Sequence, residues 1–373
     1  MGIPLVDLKA QYASIKQEID SAIQRVVTST AFILGEEVKA FEEAFARYVG
    51  AKHAVGTSSG TSALSLALRA CGVGQGDEVI TTPMTFTATA EAICHVGARP
   101  VFVDIEPATF NIDPSRIEDA ITPNTKVLLP VHLYGNPCDM APVMHIARRH
   151  NLRVIEDAAQ AHGASYRGTP VGTIGDVGCF SFYPGKNLGA YGDAGAAVTN
   201  DDEIAAKVRL LRDHGRKTKY EHLEVGYGER LDALQAAILR AKLGHLEQWT
   251  ALRRKWAALY SHKLSELPVR AIQPTPDSEP VYHIFAVESS ERDRLLEWLN
   301  SRSIRAGVHY PIPLHLQPAY SFLEYRAGVL PVAERAARQE VSLPMYPELG
   351  ESGVDEVVDA ISRFFKNSGR SSL

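Results

Sequence analysis

Cysteine is scarce in this chain of 373 residues. The four present, Cys71, Cys94, Cys138 and Cys179, stand far apart and form no C-x-x-C pair, which argues against a zinc knot and against a disulfide scaffold. They read as buried thiols, and the compartment they suit is a reducing cytoplasm. Excess positive charge is also lacking: 39 Lys and Arg against 44 Asp and Glu give a net charge of -5, and no basic run exceeds Arg253-Arg254-Lys255. Nucleic acid and membrane surfaces are therefore poor partners. No apolar run approaches a membrane span, and no signal peptide precedes the first helical pattern. Met1-Gly2-Ile3-Pro4-Leu5-Val6 lacks the Ser or Thr of a myristoylation signal. There is no internal repeat, and the polar tail Gly369-Arg370-Ser371-Ser372-Leu373 is expected to fray.

What is present is ample core material, 45% hydrophobic with 22% charged residues, in a chain long enough to favour two domains. Leu8, Tyr12, Ile15, Ile19, Ile23 and Val26 recur at helical spacing and predict one amphipathic helix. Val38, Phe41, Phe45 and Tyr48 predict a second. Strands are then expected over 78–82, 100–105, 127–133 and 152–157, with helices over 85–95 and 140–150. Such alternation implies a mostly parallel sheet wrapped by helices. Short strands over 179–182 and 195–199 enclose a glycine-rich loop, and a helix follows over 202–213. A helical stretch over 231–264 reads as a connector, followed by a proline-rich loop and a smaller unit with helices near 292–300 and 354–365.

Three segments carry chemistry. Lys186 lies in Ser181-Phe182-Tyr183-Pro184-Gly185-Lys186-Asn187-Leu188-Gly189, a glycine-flanked turn where a flexible cationic stem has no structural task. A desolvated amine there would be nucleophilic enough to form an imine with the carbonyl of pyridoxal phosphate, although most lysines are solvated surface charges. Asp157 ends the apolar strand Leu152 to Asp157, the place where open parallel sheets bind ligands, and a carboxylate there can pair with a pyridine nitrogen. A helix cap is its ordinary alternative, and Glu156 competes with it, since adjacent strand residues face opposite sides. Gly56-Thr57-Ser58-Ser59-Gly60-Thr61-Ser62 reads as a hydroxyl-rich loop opening a helix, a phosphate site if it is not merely a capped helix. It is no P-loop, because no Lys follows Gly60. The segment Gly72-Val73-Gly74-Gln75-Gly76 fails the dinucleotide fingerprint at Asp77.

In chain order, hydroxyl-rich turn, strand-end Asp and glycine-loop Lys, these segments resemble the DegT/StrS family of pyridoxal phosphate-dependent nucleotide-sugar aminotransferases. The resemblance runs from Pro4-Leu5-Val6-Asp7-Leu8 through Ser59-Gly60-Thr61, Glu156-Asp157-Ala158-Ala159-Gln160 and Phe180 to Lys186. It continues through Arg230-Leu231-Asp232-Ala233-Leu234-Gln235-Ala236-Ala237 to His309-Tyr310-Pro311 and Ser342-Leu343-Pro344. It implies an α/β fold type I transferase with a mostly parallel central sheet, helices on both faces and a smaller C-terminal α+β domain, divided as residues 1–245 and 246–373.

By the same resemblance, Lys186 anchors pyridoxal phosphate and moves the proton, Asp157 holds the pyridine nitrogen, and Gln160 lies near the ring. Phe86 stacks on the opposite ring face, while Ser59, Gly60, Thr61 and Ser181 hold the phosphate. His162 is left to packing. The family implies a homodimer with shared sites, yet Gly228 stands where a partner-subunit Asn is expected to meet the phosphate, leaving water, Tyr227 or Arg230 to replace it.

Tyr183 with Gly192-Asp193-Ala194-Gly195 resembles the branch acting on 3-keto sugars, where relatives aminating C4 carry His before the Pro and Gly-Glu-Gly after the lysine. His309 and Tyr310 match positions lining a hexose pocket. Arg216, Lys217, Lys219 and Tyr220 lie in a loop that could contact a diphosphate across a dimer, with a solvated charge run as the alternative. The expected reaction moves an amino group from L-glutamate to a dTDP-linked 3-keto-6-deoxy sugar. UDP-keto sugars, C4 keto sugars, a cyclitol ketone and a non-catalytic regulatory role are the alternatives.

Overall fold

A computed structural model describes residues 2–368, so the polar tail at 369–373 lies outside the described residues. In chain order the first strands are β1 (His53–Thr57), β2 (Glu78–Thr81), β3 (Arg99–Phe102), β4 (Thr125–Leu128) and β5 (Arg153–Asp157). The short β6 (Ser165–Tyr166) and β7 (Thr169–Pro170) precede β8 (Val177–Ser181) and β9 (Gly195–Thr199). Seven of them form one sheet in the order β1-β9-β8-β5-β4-β2-β3. All pairs from β3 to β8 are parallel, and β9 runs antiparallel to both β8 and β1. Six strands thus point one way, and their carboxyl ends share one edge.

The expected alternation is present, with helices Met140–His150 and Asp202–Arg212 close to their predicted spans. Four differences have identifiable causes. The first helical pattern is two helices, Leu8–Ser14 and Lys16–Ser29, because Ile15 (φ -124°, ψ 19°) leaves helical geometry. Gly56 and Thr57 belong to β1 rather than to a loop; the small residues of this strand give no alternating signal, and its pairing with β9 comes from far along the chain. The helix expected from Thr85 starts at Ala88, leaving Phe86 in the turn before it. The connector divides into Ala233–Leu243 and Leu246–Leu264, where the His245 N–H reaches the Lys242 carbonyl at 3.0 Å and tightens the chain by one turn. Cys138 and Cys179 are buried, but Cys71 and Cys94 are half-exposed.

Beyond the connector come β10 (Arg270–Ala271), β11 (Ser278–Glu279), β12 (Phe285–Glu288) and β13 (Glu340–Leu343). The order β10-β12-β13 makes a second, antiparallel sheet packed with helices Arg292–Ser301 and Gly350–Ser368. β11 instead joins β6 and β7. The opening residues cross to this region, since Ile3 bridges Ile304.

Glycines fix how closely the strand ends approach. A Cβ on Gly195 would stand 2.2 Å from the Ser59 carbonyl oxygen, and one on Gly60 would stand 2.6 Å from Ser181 Cβ. Nearby, Glu42 accepts the Gly56 N–H at 2.8 Å and the Arg212 guanidinium at 2.5 Å, pinning the end of β1. Gly195→Ala should therefore destabilise the fold by roughly 3 kcal/mol, the upper part of the usual overpacking range. Gly244→Ala, in helical geometry with 3.7 Å to spare, should fall within about 0.5 kcal/mol of the parent in urea unfolding.

Candidate active site

Strand ends β1, β2, β5 and β8 converge on one cavity of about 590 Å³. At the end of β1, Ser59 caps helix Gly60–Ala70, its Oγ accepting the Ser62 N–H at 3.1 Å. The Ser58 and Ser62 hydroxyls both donate to the Glu229 carboxylate, the latter at 2.5 Å. Those two hydroxyls are thereby engaged, while the Gly60 and Thr61 N–H groups, in the first helical turn, lack intrahelical partners. Ser59, Gly60, Thr61 and Ser181 all line the cavity, an arrangement suited to an anion.

Asp157 and Glu156 divide as strand alternation requires. Glu156 is fully buried and satisfied, accepting from His132 Nε2 at 3.0 Å and from the N–H groups of Gly172, Ile174 and Gly175 at 2.7–2.8 Å. The Cys138 N–H donates to His132 Nδ1, so His132 carries its proton on Nε2 and donates it to Glu156. Asp157 faces the cavity, accepting from the Thr89 hydroxyl at 2.7 Å and the Ala159 N–H at 3.2 Å. Burial raises its pKa, opposed by those bonds and by the Lys186 charge.

Lys186 is half-buried, opens onto the same cavity, and has no hydrogen bond on its amine among the described residues. Desolvation lowers its pKa to about 8 against the pull of Asp157. The turn that carries it is closed by the Lys186 N–H on the Tyr183 carbonyl at 2.8 Å.

Gln160 accepts the Tyr134 N–H at 2.5 Å and donates to the Tyr310 hydroxyl at 3.2 Å. Phe86 is 54% exposed, and its ring centroid lies 6.0 Å from that of Tyr310. Tyr183, Phe86, His309 and Tyr310 line the cavity with them. Burial and the Lys186 charge hold His309 down to about 4. His162 packs against Phe180 and Phe182, and burial keeps it neutral with a pKa of about 3.

Three expected contacts are not in this cavity. Lys219 sits over the Tyr220 ring in an exposed loop, and Arg230 pairs with Asp213 at 3.0 Å. Gly228 lies beside His214. Conversely, Asp193 and His283 line the cavity without having been singled out. Asp193 stood in the quoted glycine segment, whereas nothing in the sequence around His283 marked it.

Residues 13–362 match the model of the DegT/DnrJ/EryC1/StrS aminotransferase family. The chain belongs to that family. A pleiotropic regulatory protein of Geobacillus stearothermophilus is 49% identical, over 98% of this chain and 100% of its own. A dTDP-3-amino-3,4,6-trideoxy-alpha-D-glucose transaminase of Streptomyces venezuelae is 47% identical, over 96% of this chain and 95% of its own. The crystal structure of S. venezuelae DesV in complex with a ketimine intermediate superposes with a TM-score of 0.95 at 46% identity, covering 97% of this chain and 98% of that one. The fold is accordingly fold type I. No described helix is long and apolar enough to cross a membrane.

The cofactor of DegT/DnrJ/EryC1/StrS aminotransferases is pyridoxal phosphate. The residues present fit it: an unpartnered amine at Lys186 for the aldehyde, a buried acid at Asp157 for the pyridine nitrogen, and a helix start with free N–H groups for the phosphate. Asp157→Asn should slow the glutamate half-reaction roughly a hundredfold, the scale of losing one preorganised electrostatic partner. Glu156→Gln should instead cost about 3 kcal/mol of stability, because an amide donor would face groups that only donate, with turnover of the folded fraction retained. Stopped-flow absorbance and urea unfolding of both variants separate these effects.

Proposed function

We propose that this protein transfers an amino group from L-glutamate to the C3 keto carbon of a dTDP-linked 6-deoxy sugar. The observation that carries the reading is Tyr183, 59% exposed and lining one cavity with Lys186, His309 and Tyr310. Its sequence neighbours resemble the 3-keto branch, and the S. venezuelae relative is named as a transaminase of a 3-amino sugar.

When bound, pyridoxal phosphate supplies the electron sink. Asp157 holds the pyridine nitrogen, and its Thr89 and Ala159 bonds fix its orientation. The Lys186 amine, with its proton affinity lowered by burial, takes the proton from the α-carbon of glutamate and returns one to the sugar carbon in the second half. Glutamate leaves as 2-oxoglutarate, and the ketone becomes an amine. Tyr183, His309 and Tyr310 orient the hexose.

We further propose a homodimer in the cytoplasm. Exposed apolar side chains support the dimer: Tyr220 is 83% and Val225 90% exposed in the loop carrying Arg216, Lys217 and Lys219, and Phe32 and Ile33 are about half-exposed. In that assembly Lys219, Tyr220 and Arg230 would serve the partner's site. We also propose the division into residues 1–245 and 246–373, with the cavity between them; its side chains from both segments support that reading.

The regulatory reading has one observation in its favour, the name of the Geobacillus relative. Holoenzyme mixed with glutamate should lose its visible absorbance and regain it fastest with a dTDP-linked 3-keto-6-deoxy sugar, measured against UDP-linked and C4-keto sugars and scyllo-inosose. No spectral change with glutamate would support the regulatory reading, and recovery only with the cyclitol would overturn the acceptor. Lys186→Ala should abolish the exchange and the borohydride-fixed cofactor on its peptide.

A further inference from the structure

Strand β13 alternates in chemistry as well as in direction. Val341 and Leu343 enter the apolar core behind the second sheet, while Glu340 and Ser342, two residues apart, share the other face. Both are fully buried. That face meets the segment entering the cavity, since Ser342 and Gly307 exchange backbone hydrogen bonds at 2.9 and 3.1 Å. The same contact brings His309 onto the pair. Its backbone N–H donates to Glu340 Oε2 at 2.7 Å, its Nδ1 stands 2.8 Å from Ser342 Oγ, and Ser342 Oγ in turn bonds Glu340 Oε1. The His309 carbonyl accepts from the Tyr134 hydroxyl. His309 Nε2 has no partner among the described residues, and the residue lines the cavity.

A hydroxyl carries one proton, so the chain Glu340–Ser342–His309 has two self-consistent states. With Glu340 ionised, Ser342 donates to the carboxylate, must accept from His309 Nδ1–H, and leaves Nε2 as an acceptor. With Glu340 protonated, the acid donates to Ser342, Ser342 donates to the Nδ1 lone pair, and the ring proton sits on Nε2. The surroundings favour the second state. The Arg292 guanidinium, engaged with Asp293 and the Ala337 carbonyl, only weakly favours the charged form. Glu288, opposite Glu340 in the strand pair, is paired with Arg270. Tyr134 and Tyr310 are neutral phenols, and Lys186 beyond His309 favours an uncharged ring.

We propose that Glu340 is a positioning residue, a buried neutral acid that acts through Ser342 to keep the His309 proton on Nε2, so that His309 donates a hydrogen bond to an oxygen of the acceptor. This rests on the reading of His309 as an acceptor contact. Ionising Glu340 reverses that nitrogen from donor to acceptor without moving a heavy atom.

The test reads the tautomer itself. In holoenzyme labelled with 15N-histidine, the His309 resonances are assigned by their loss in His309→Asn. At neutral pH they should report Nε2–H, and they should change to Nδ1–H as pH rises through about 8, the value to which burial lifts Glu340. Glu340→Gln, whose amide donates to Ser342 as the neutral acid does, should hold Nε2–H throughout. Ser342→Ala should give a tautomer mixture that does not follow pH. Over the same interval the acceptor KM of the wild type should rise roughly tenfold, the scale of one lost hydrogen bond, while that of Glu340→Gln should not. Nδ1–H in the wild type at neutral pH, or Glu340→Gln behaving as Ser342→Ala does, would overturn the proposal. The tautomer needs no sugar, so an unaminated sugar panel beside an intact pH-dependent tautomer would defeat the substrate reading alone.

Discussion

One register contact organises the site: Gly195 of β9 is the partner of Thr57 in β1 on one side and of Ser181 in β8 on the other. Two carriers of chemistry follow from it. Thr57 leads into the anion turn, Ser181 leads into the lysine loop, and the absence of a side chain on Gly195 lets the Ser59 carbonyl settle against the sheet. Antiparallel β9 is what joins the two, because a parallel neighbour would carry its own chain onward at the same edge. Asp157 then reaches the cavity through the parallel pairing of β5 with β8, where its partner is Cys179.

The electrostatics follow from that convergence. One amine, Lys186, opens onto the cavity, and the charge of Asp157 is the one that pulls on it. Burial lowers the Lys186 pKa and raises that of Asp157, and their attraction opposes both shifts. Three histidines near the amine, His162, His283 and His309, are held neutral by burial and by the Lys186 charge. Unlike these rings, the amine that the chemistry uses titrates near neutrality. Glu340 follows the same rule from the opposite sign, a carboxyl lifted by burial that Arg292 only weakly opposes.

Lys186, Asp157 and the Ser59-Gly60-Thr61 turn were legible because each sits at a strand end with local punctuation, glycine around the lysine and hydroxyls before a helix. Alternation says only that one of Asp157 and Glu156 faces in; the family resemblance chose Asp157, and Asp157 is the one that lines the cavity. β1 was not legible, for its small residues owe their extended form to pairing with residues more than a hundred positions away. Phe86 was placed on a helix that begins after it, and it lines the cavity from the preceding turn. His283 and the Glu340–Ser342 pair were invisible for one reason: their meaning lies in neighbours across the fold, and Ser342 was read only as part of a motif. Among the described residues, the loop of Lys219 and Tyr220 does not line the cavity.

The central claim is that burial makes Lys186 a reactive amine near neutral pH. It is tested most directly by acylating apoenzyme with a small reagent across pH and following the Lys186 peptide by mass spectrometry against surface lysine peptides. The account predicts half-maximal reactivity near about 8. Half-maximal reactivity near 10.5, in step with the surface lysines, would contradict it.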